Sequence, residues 1–148
     1  MRYMLLVSGS KQSEAGVKLS LEVSEAMNVF HASLERAGVL LAADRLLPSS
    51  SGIRISYPGG GGEPCVKVGP FESDGSLLAG FTLIEVSSEA EAIQWALRMP
   101  DPYGGGVELR RLDERKQEQE QEEPHVDPRI HGVETYLLEQ RAMLQRLE

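Results

Sequence analysis

Apolar and polar residues along the chain form short apolar runs and one-sided helical repeats. Residues 4–7 are a short apolar run that ends at the turn signal Ser-Gly-Ser, which predicts a buried strand. Residues 11–18 are polar and are predicted to form a loop.

Ser20 is a suitable N-cap for a helix. Apolar residues then recur on one helical face, at Val23, Met27, Phe30, Leu34 and Ala37. Gly38 fits the left-handed position that ends many helices.

Five further segments predict strands, at residues 39–42, 53–57, 65–68, 81–86 and 107–111. The second and third of these alternate apolar and polar residues, and the glycine-rich residues 58–62 between them suit a hairpin connection. Ser88 and Glu91 form a capping-box pattern that opens a second helix, which Pro100 ends.

This order of elements predicts an α+β fold, with two helices on one face of a ferredoxin-like antiparallel sheet. Neighbouring apolar residues within the strands point in opposite directions, which indicates that both faces of the sheet are buried. These neighbours are Leu5 and Leu6, Leu40 and Leu41, and Leu83 and Ile84. A second copy of the chain is the simplest cover for the face without helices, so we expect a homodimer.

The character of the sequence changes after residue 112. Residues 1–112 are predicted to form the α+β domain, and residues 113–126 an acidic Glu/Gln-rich linker. Residues 127–148 are predicted to form an amphipathic helix, because Asp127-Pro128 is a helix start followed by a near-heptad apolar stripe. The stripe consists of Ile130, Val133, Leu137, Leu144 and Leu147. We expect this helix to pack on its own domain or on a partner chain.

Charge and cysteine content narrow the classes of function. The formal net charge is −8, which argues against broad binding of nucleic acid or of anionic membranes, since both need a basic surface. Cys65 is the only cysteine and cannot form an internal disulfide, so a reducing, cytoplasmic setting is expected. The apolar run near the N-terminus is too short for a signal-peptide core or a membrane span.

Several stretches together resemble one protein family. YMLLV, AGVLLAADRLLPSSSG, GPF followed by AGFTLIEVSSEAEAIQWALRMP, and VELRRL occur in an order and spacing similar to those of the YCII-related superfamily, and within it the DGPF-domain proteins. The resemblance implies a dimeric α+β barrel, in which two ferredoxin-like sheets pack face to face. The wider barrel class includes isomerases, monooxygenases, cyclases and dehalogenating lyases that act on small ring compounds. YCII-type members are suspected to be enzymes that use a histidine and an aspartate.

The chain departs from this resemblance at the polar positions. The aspartate of DGPF corresponds to Val68, and the YCII histidine corresponds to Met27. The acidic residue of the family's A-G-E-G-L stretch corresponds to Asp44, and Arg45 replaces the glycine that follows. Either the ancestral activity has been lost, or a site has been rebuilt from other residues.

Two residues are candidate acid or base groups. Asp44 is predicted just past the second strand, where loops commonly carry functional residues. The plainer interpretation is a surface ion pair with Arg45, or an aspartate that satisfies a turn. His31 follows Phe30 at the edge of the helical apolar face, and the plainer interpretation is a boundary residue. If His31 points between helix and sheet, it can titrate near neutral pH and move protons.

The stretch KVGPFESDG is a candidate binding loop. Pro70 restricts the backbone, so Phe71 is presented at a defined angle. In the functional interpretation Phe71 is the apolar wall of a pocket, and Ser73 and Asp74 are its polar contacts. In the structural interpretation Phe71 closes the end of the sheet beside Trp95 or Leu78. Arg45 or Arg54 is a candidate for binding an anionic group.

No metal and no cofactor are predicted. A metal cluster of His125, Asp127 and His131 is rejected because the spacing lacks a third strong ligand, and Cys65 lacks an evident base partner. The sequence therefore predicts a pocket for a small molecule, with proton-transfer chemistry such as isomerisation, cyclisation or elimination on a ring compound. The alternative is a catalytically inactive interaction or regulatory module, and the sequence leaves open whether the protein is an enzyme.

Overall fold

A computed structural model of the protein describes residues 1–72 and 75–114. The chain divides into two units, and the description below concerns the first, Met1–Glu114. The amphipathic helix predicted for residues 127–148 lies outside the described residues, as does the predicted linker beyond Glu114. These two predictions are therefore untested.

The described residues form six strands, three helices and one 3₁₀ turn. The strands are β1 (Arg2–Ser8), β2 (Leu40–Arg45), β3 (Ile53–Ser56), β4 (Cys65–Val68), β5 (Leu78–Glu85) and β6 (Val107–Arg111). The helices are α1 (Lys11–Glu14), α2 (Leu21–Arg36) and α3 (Glu89–Arg98), and the 3₁₀ turn is Ser49–Ser51.

Four strands form the main sheet in the order β2-β5-β1-β6, and all of their pairings are antiparallel. With α2 between β1 and β2 and α3 between β5 and β6, this is the ferredoxin-like arrangement, so the predicted α+β fold is confirmed. The predicted hairpin is present as β3 and β4. It forms a separate two-stranded sheet inserted between β2 and β5.

The core lies between the main sheet and the two longer helices. Side chains of β1 alternate between buried and half-buried, so one face of the strand points into the core. The core includes Tyr3, Leu5, Val7, Phe30, Leu34, Ile84 and Ala92. Leu5, Leu34 and Ile84 have no exposed surface, and burial of each such side chain stabilises the fold by roughly 1.5–3 kcal/mol.

Helix α2 begins and ends where the sequence predicts. The Ser20 side chain accepts a hydrogen bond from the backbone N–H of Val23 at 3.2 Å, which satisfies one free donor of the first turn. Gly38 has a φ of 71°, a left-handed conformation that favours glycine, and its N–H bonds the carbonyl of Glu35 at 2.9 Å.

Helix α1 contradicts the first half of the loop predicted at residues 11–18, because Lys11–Glu14 is helical. Ser10 and Ser13 form a capping box, in which each side chain accepts a hydrogen bond from the other residue's backbone N–H. The helix has no buried residue, so it is stabilised by the hydrogen bonds at its start and not by the packing of an apolar face. Because no apolar face is needed, this part of the sequence has no apolar periodicity from which the helix could be predicted.

The opposite face of the main sheet carries a second apolar surface, which we call the open face. Its centre consists of Met4, Leu6, Phe81 and Leu83, all half-buried, and the register pairs Met4 with Leu83 and Leu6 with Phe81. Alternation along β5 separates this set from Thr82 and Ile84, which point into the core. Strands β1 and β5 therefore carry apolar side chains on both faces of the sheet, as the sequence predicts.

The β3–β4 hairpin also has two unlike faces. Ile53 pairs with Val68 and Ile55 pairs with Val66, so these four side chains share one face. Their exposed fractions are 65%, 68%, 49% and 62% respectively. Arg54 pairs with Lys67 on the other face. The hairpin therefore presents an apolar face to the surroundings.

Candidate functional site

A cavity of about 200 Å³ lies between helix α2, the core-facing side of β5 and the segment that follows α3. Its polar lining residues are Ser24, Asn28, His31, Asp44, Arg45, Thr82 and Tyr103. Apolar residues, among them Met27 and Met99, complete the walls. A mostly apolar cleft with a few polar groups is the usual form of a small-molecule site.

His31 points from α2 toward the sheet. Its Nε2 lies 3.3 Å from Oγ1 of Thr82, and the ring packs against Phe30 with the two centroids 5.7 Å apart. Thr82 is only 1% exposed, so its hydroxyl is fixed within the core. The condition under which the sequence predicted proton transfer at His31, an orientation between helix and sheet, is met.

Burial sets the protonation of His31. Desolvation lowers the pKa of the imidazole from its ordinary value of 6.5, the Glu35 carboxylate raises that pKa, and the Arg45 guanidinium lowers it. The imidazole is therefore neutral at pH 7. A neutral imidazole in a cavity has one ring nitrogen that can accept a proton, as a general base requires.

Asp44 and Arg45 are the last two residues of β2, so their predicted position past the end of the strand was wrong. In the register, Arg45 pairs with Gly80 and Asp44 pairs with Phe81. Arg45 therefore shares the face of Thr82 and His31, whereas the Asp44 side chain belongs to the open face. Asp44 reaches the border of the cavity, and its Oδ1 accepts a hydrogen bond from the Arg45 backbone N–H at 2.9 Å.

The ion pairs of the described residues do not include Asp44 with Arg45. They join Glu114 to Met1 and Arg2, and Glu108 to Arg110. Within residues 1–72 and 75–114, the Arg45 guanidinium thus has no carboxylate partner. The interpretation of these two side chains as a surface ion pair is not supported.

The GPF loop forms a second cluster with the 3₁₀ turn and α1. The Ser49 side chain accepts a hydrogen bond from the Phe71 backbone N–H at 2.9 Å and donates one to the Glu14 carboxylate. The Ser49 backbone N–H also donates to Glu14 Oε1 at 3.1 Å. The Gly69 N–H bonds the Gly52 carbonyl at 2.9 Å. These contacts fix the GPF loop to the 3₁₀ turn, and through Ser49 to α1.

Phe71 packs against Gly52, and the Arg54 guanidinium lies 4.2 Å from the centre of its ring. Trp95, one of the neighbours expected for Phe71, packs instead against Phe30, with the ring centroids 6.5 Å apart. Phe71 and Arg54 thus contact each other, and neither is among the residues that line the cavity.

The predicted site residues therefore fall into two groups. His31, Asp44 and Arg45 surround the cavity, while Arg54 and Phe71 belong to the loop cluster. Ser73 and Asp74 lie outside the described residues, as do His125, Asp127 and His131. Sequence reasoning missed Thr82, Asn28 and Tyr103. The signal that could have identified Thr82 is that it is the single threonine within the apolar strand FTLIEV.

Two features of the described residues concern the environment of the protein in the cell. Cys65, at the start of β4, is a free and exposed thiol. Among the helices of residues 1–72 and 75–114, none is long and apolar enough to cross a membrane.

The fold and the cavity are those of a small α+β protein with a ferredoxin-like sheet and a cavity beneath one helix. Residues 1–116 match the model of the YCII-related domain, and the chain belongs to that family. No curated protein matches the chain significantly.

Proposed function

We propose that the protein binds a small ring compound in the cavity beneath α2 and transfers a proton to or from it. The observation that carries this proposal is His31, whose imidazole is neutral, turned toward Thr82 and exposed to the cavity. A positioned histidine of this kind contributes typically 10²–10⁴-fold to the rate of a reaction that moves a proton.

Each polar group at the cavity has a part in this chemistry. His31 removes a proton from the bound ring compound, and Thr82 holds the imidazole in place through the 3.3 Å contact. Asp44 at the border acts as the second acid or base group, and Arg45 binds an anionic group of the substrate. The reaction classes that need only these groups are isomerisation, cyclisation and elimination, without a metal.

The position of His31 supports a rebuilt site. Met27, which corresponds to the YCII histidine, lines the same cavity one helical turn before His31. An imidazole at either position therefore reaches the same space. We infer that His31 performs from the next turn the role that the resemblance implies for residue 27.

One observation favours the alternative function, an inactive interaction module. Val68, which corresponds to the DGPF aspartate, belongs to the exposed apolar face of the hairpin. A partner protein bound to that face would give the domain a role without chemistry. The cavity and the orientation of His31 have no part in that role, so we place the proton-transfer function first.

The proposed function is tested by ligand binding. A set of single-ring compounds is titrated into ¹⁵N-labelled protein, and changes in backbone amide shifts are followed by NMR. We expect ligands to shift Asn28, Thr82 and Tyr103, which line the cavity, and to leave Phe71 of the loop cluster unchanged. Shifts confined to the β3–β4 hairpin, or no binding by any ring compound, would contradict the proposal and favour the interaction module.

We also propose that two copies of the chain associate through the open face, giving the dimeric α+β barrel that the resemblance implies. Met4, Leu6, Phe81 and Leu83 supply the apolar centre of this contact. Stable interfaces bury at least about 1,000 Å² in total, and their fully buried centre is depleted of charge. The exposed free thiol of Cys65 supports a reducing location, and we assign the dimer to the cytoplasm.

A Leu6→Glu variant is expected to be monomeric, because the new carboxylate would be placed in the interface beside Glu108, which pairs with Leu6 on β6. Light scattering at micromolar concentration measures the mass of the particle. Val29→Glu, which puts the same charge at a 63% exposed position on α2, is the matched control and should stay dimeric. A wild-type protein that is monomeric at this concentration contradicts the proposed dimer.

A further inference from the structure

We infer that the cavity takes a small ring compound that carries a carboxylate, and that Arg45 binds this carboxylate beside the His31 imidazole. The inference rests on the proposed function and names its substrate class. Seating of the carboxylate also makes His31 a stronger base, so that the substrate activates the group that acts on it.

The position of Arg45 is the first step. Its pairing with Gly80 puts the side chain on the face of the sheet to which His31 points. Within residues 1–72 and 75–114 no carboxylate forms an ion pair with its guanidinium. A guanidinium matches the two oxygens of a carboxylate in a bidentate contact, which is stronger and more directional than a contact with a neutral acceptor.

The size and the walls of the cavity are the second step. Sites for drug-sized ligands occupy about 300–1,000 Å³, so a cavity of about 200 Å³ suits a single ring. Met27 and Met99 offer apolar surface for such a ring, and Asn28 and Tyr103 offer hydrogen bonds at its edge. The polar end of the ligand is then fixed by Arg45.

The charges around His31 are the third step. Glu35 lies one turn further along α2 and Arg45 approaches from β2, whereas the Asp44 side chain belongs to the open face. Tyr103 lies on the segment after α3. Of these groups Arg45 is the cation, and it disfavours a proton on the imidazole. A carboxylate bound to Arg45 offsets that charge, so the pKa of His31 rises when the ligand is in place.

The test uses benzoate and its neutral analogue benzamide as probes. The pKa of His31 is measured by NMR titration of the imidazole, with and without each probe. We expect benzoate to bind roughly tenfold or more tightly than benzamide, the factor that a charge-assisted contact supplies. Benzoate should raise the pKa of His31, and benzamide should leave it unchanged.

Two variants isolate the contribution of the guanidinium. Arg45→Gln should lose the preference for benzoate and the ligand-induced rise of the pKa, while its free form shows a higher pKa of His31 than the wild type. Arg36→Gln removes an exposed arginine from the end of α2 and should behave as the wild type. An Arg45→Gln variant that binds benzoate as tightly as the wild type overturns the inference.

The other outcomes are equally distinct. Equal binding of benzamide and benzoate at the cavity overturns the carboxylate assignment and leaves the proposed ring-binding function intact. Benzoate binding without a rise in the pKa of His31 overturns the activation of the base. If no ring compound of either charge shifts the amides of Asn28 and Thr82, the inference and the proposed function both fail.

Discussion

Gly69→Ala is expected to lower the free energy of unfolding by about 3 kcal/mol, because the added methyl group would overlap the backbone carbonyl oxygen of Ser49. A backbone oxygen cannot rotate away as a flexible side chain can. The GPF loop would have to move, and with it the hydrogen bond from Phe71 to Ser49. Urea unfolding followed by circular dichroism measures the change.

Gly59→Ala is the matched control. A methyl group at Gly59 meets no atom within 4 Å, so this variant should unfold within about 0.5 kcal/mol of the wild type. Equal stability of the two variants would show that the loop yields without loss, and that the contacts of Ser49 with Glu14 and Phe71 do not hold the domain together.

His31→Gln is expected to lower turnover of a ring carboxylate substrate by roughly 100-fold or more, the usual contribution of a general acid or base. Glutamine retains a polar group that can contact Thr82 but cannot accept a proton near neutral pH. His31 is half-buried, so stability should change little. Steady-state kinetics and thermal unfolding of the same samples separate the two effects.

Asp44→Asn tests the second proposed group in the same assay, with a similar expected loss of roughly 100-fold. Because the Asp44 side chain belongs to the open face and only borders the cavity, its effect also depends on where the second copy of the chain lies. Full activity of both variants would remove the acid–base assignment and leave the cavity as a binding site only.

The two longer helices could be predicted because their signals are local. The apolar repeat of α2, its Ser20 cap and Gly38 lie within one continuous segment. Strand β2 was predicted to end three residues early, at residue 42, because Asp44 and Arg45 are polar. Pairing with β5 extends the strand, and pairing between distant segments leaves no mark in the local pattern.

The site could be predicted only in part for the same reason. His31 was identifiable from its place beside Phe30 on a helical face. Its contact with Thr82, 51 residues away in the chain, and the contact of Ser49 with Phe71, 22 residues away, depend on the tertiary fold. The grouping of Phe71 with Arg54, apart from the cavity, could not be inferred from the stretch KVGPFESDG alone.

The place of Val68 on the β3–β4 hairpin bears on how the protein behaves in concentrated solution. Val68 pairs with Ile53 at the end of β4, and its side chain is 68% exposed on the same face as Ile55 and Val66. An aspartate at this position, as in the DGPF proteins that the chain resembles, would interrupt an apolar strip with a charge, one of the devices by which exposed strands resist edge-to-edge aggregation. In this chain Val68 leaves the exposed apolar strip without such a charge. Purified protein should therefore owe any tendency to precipitate to the hairpin.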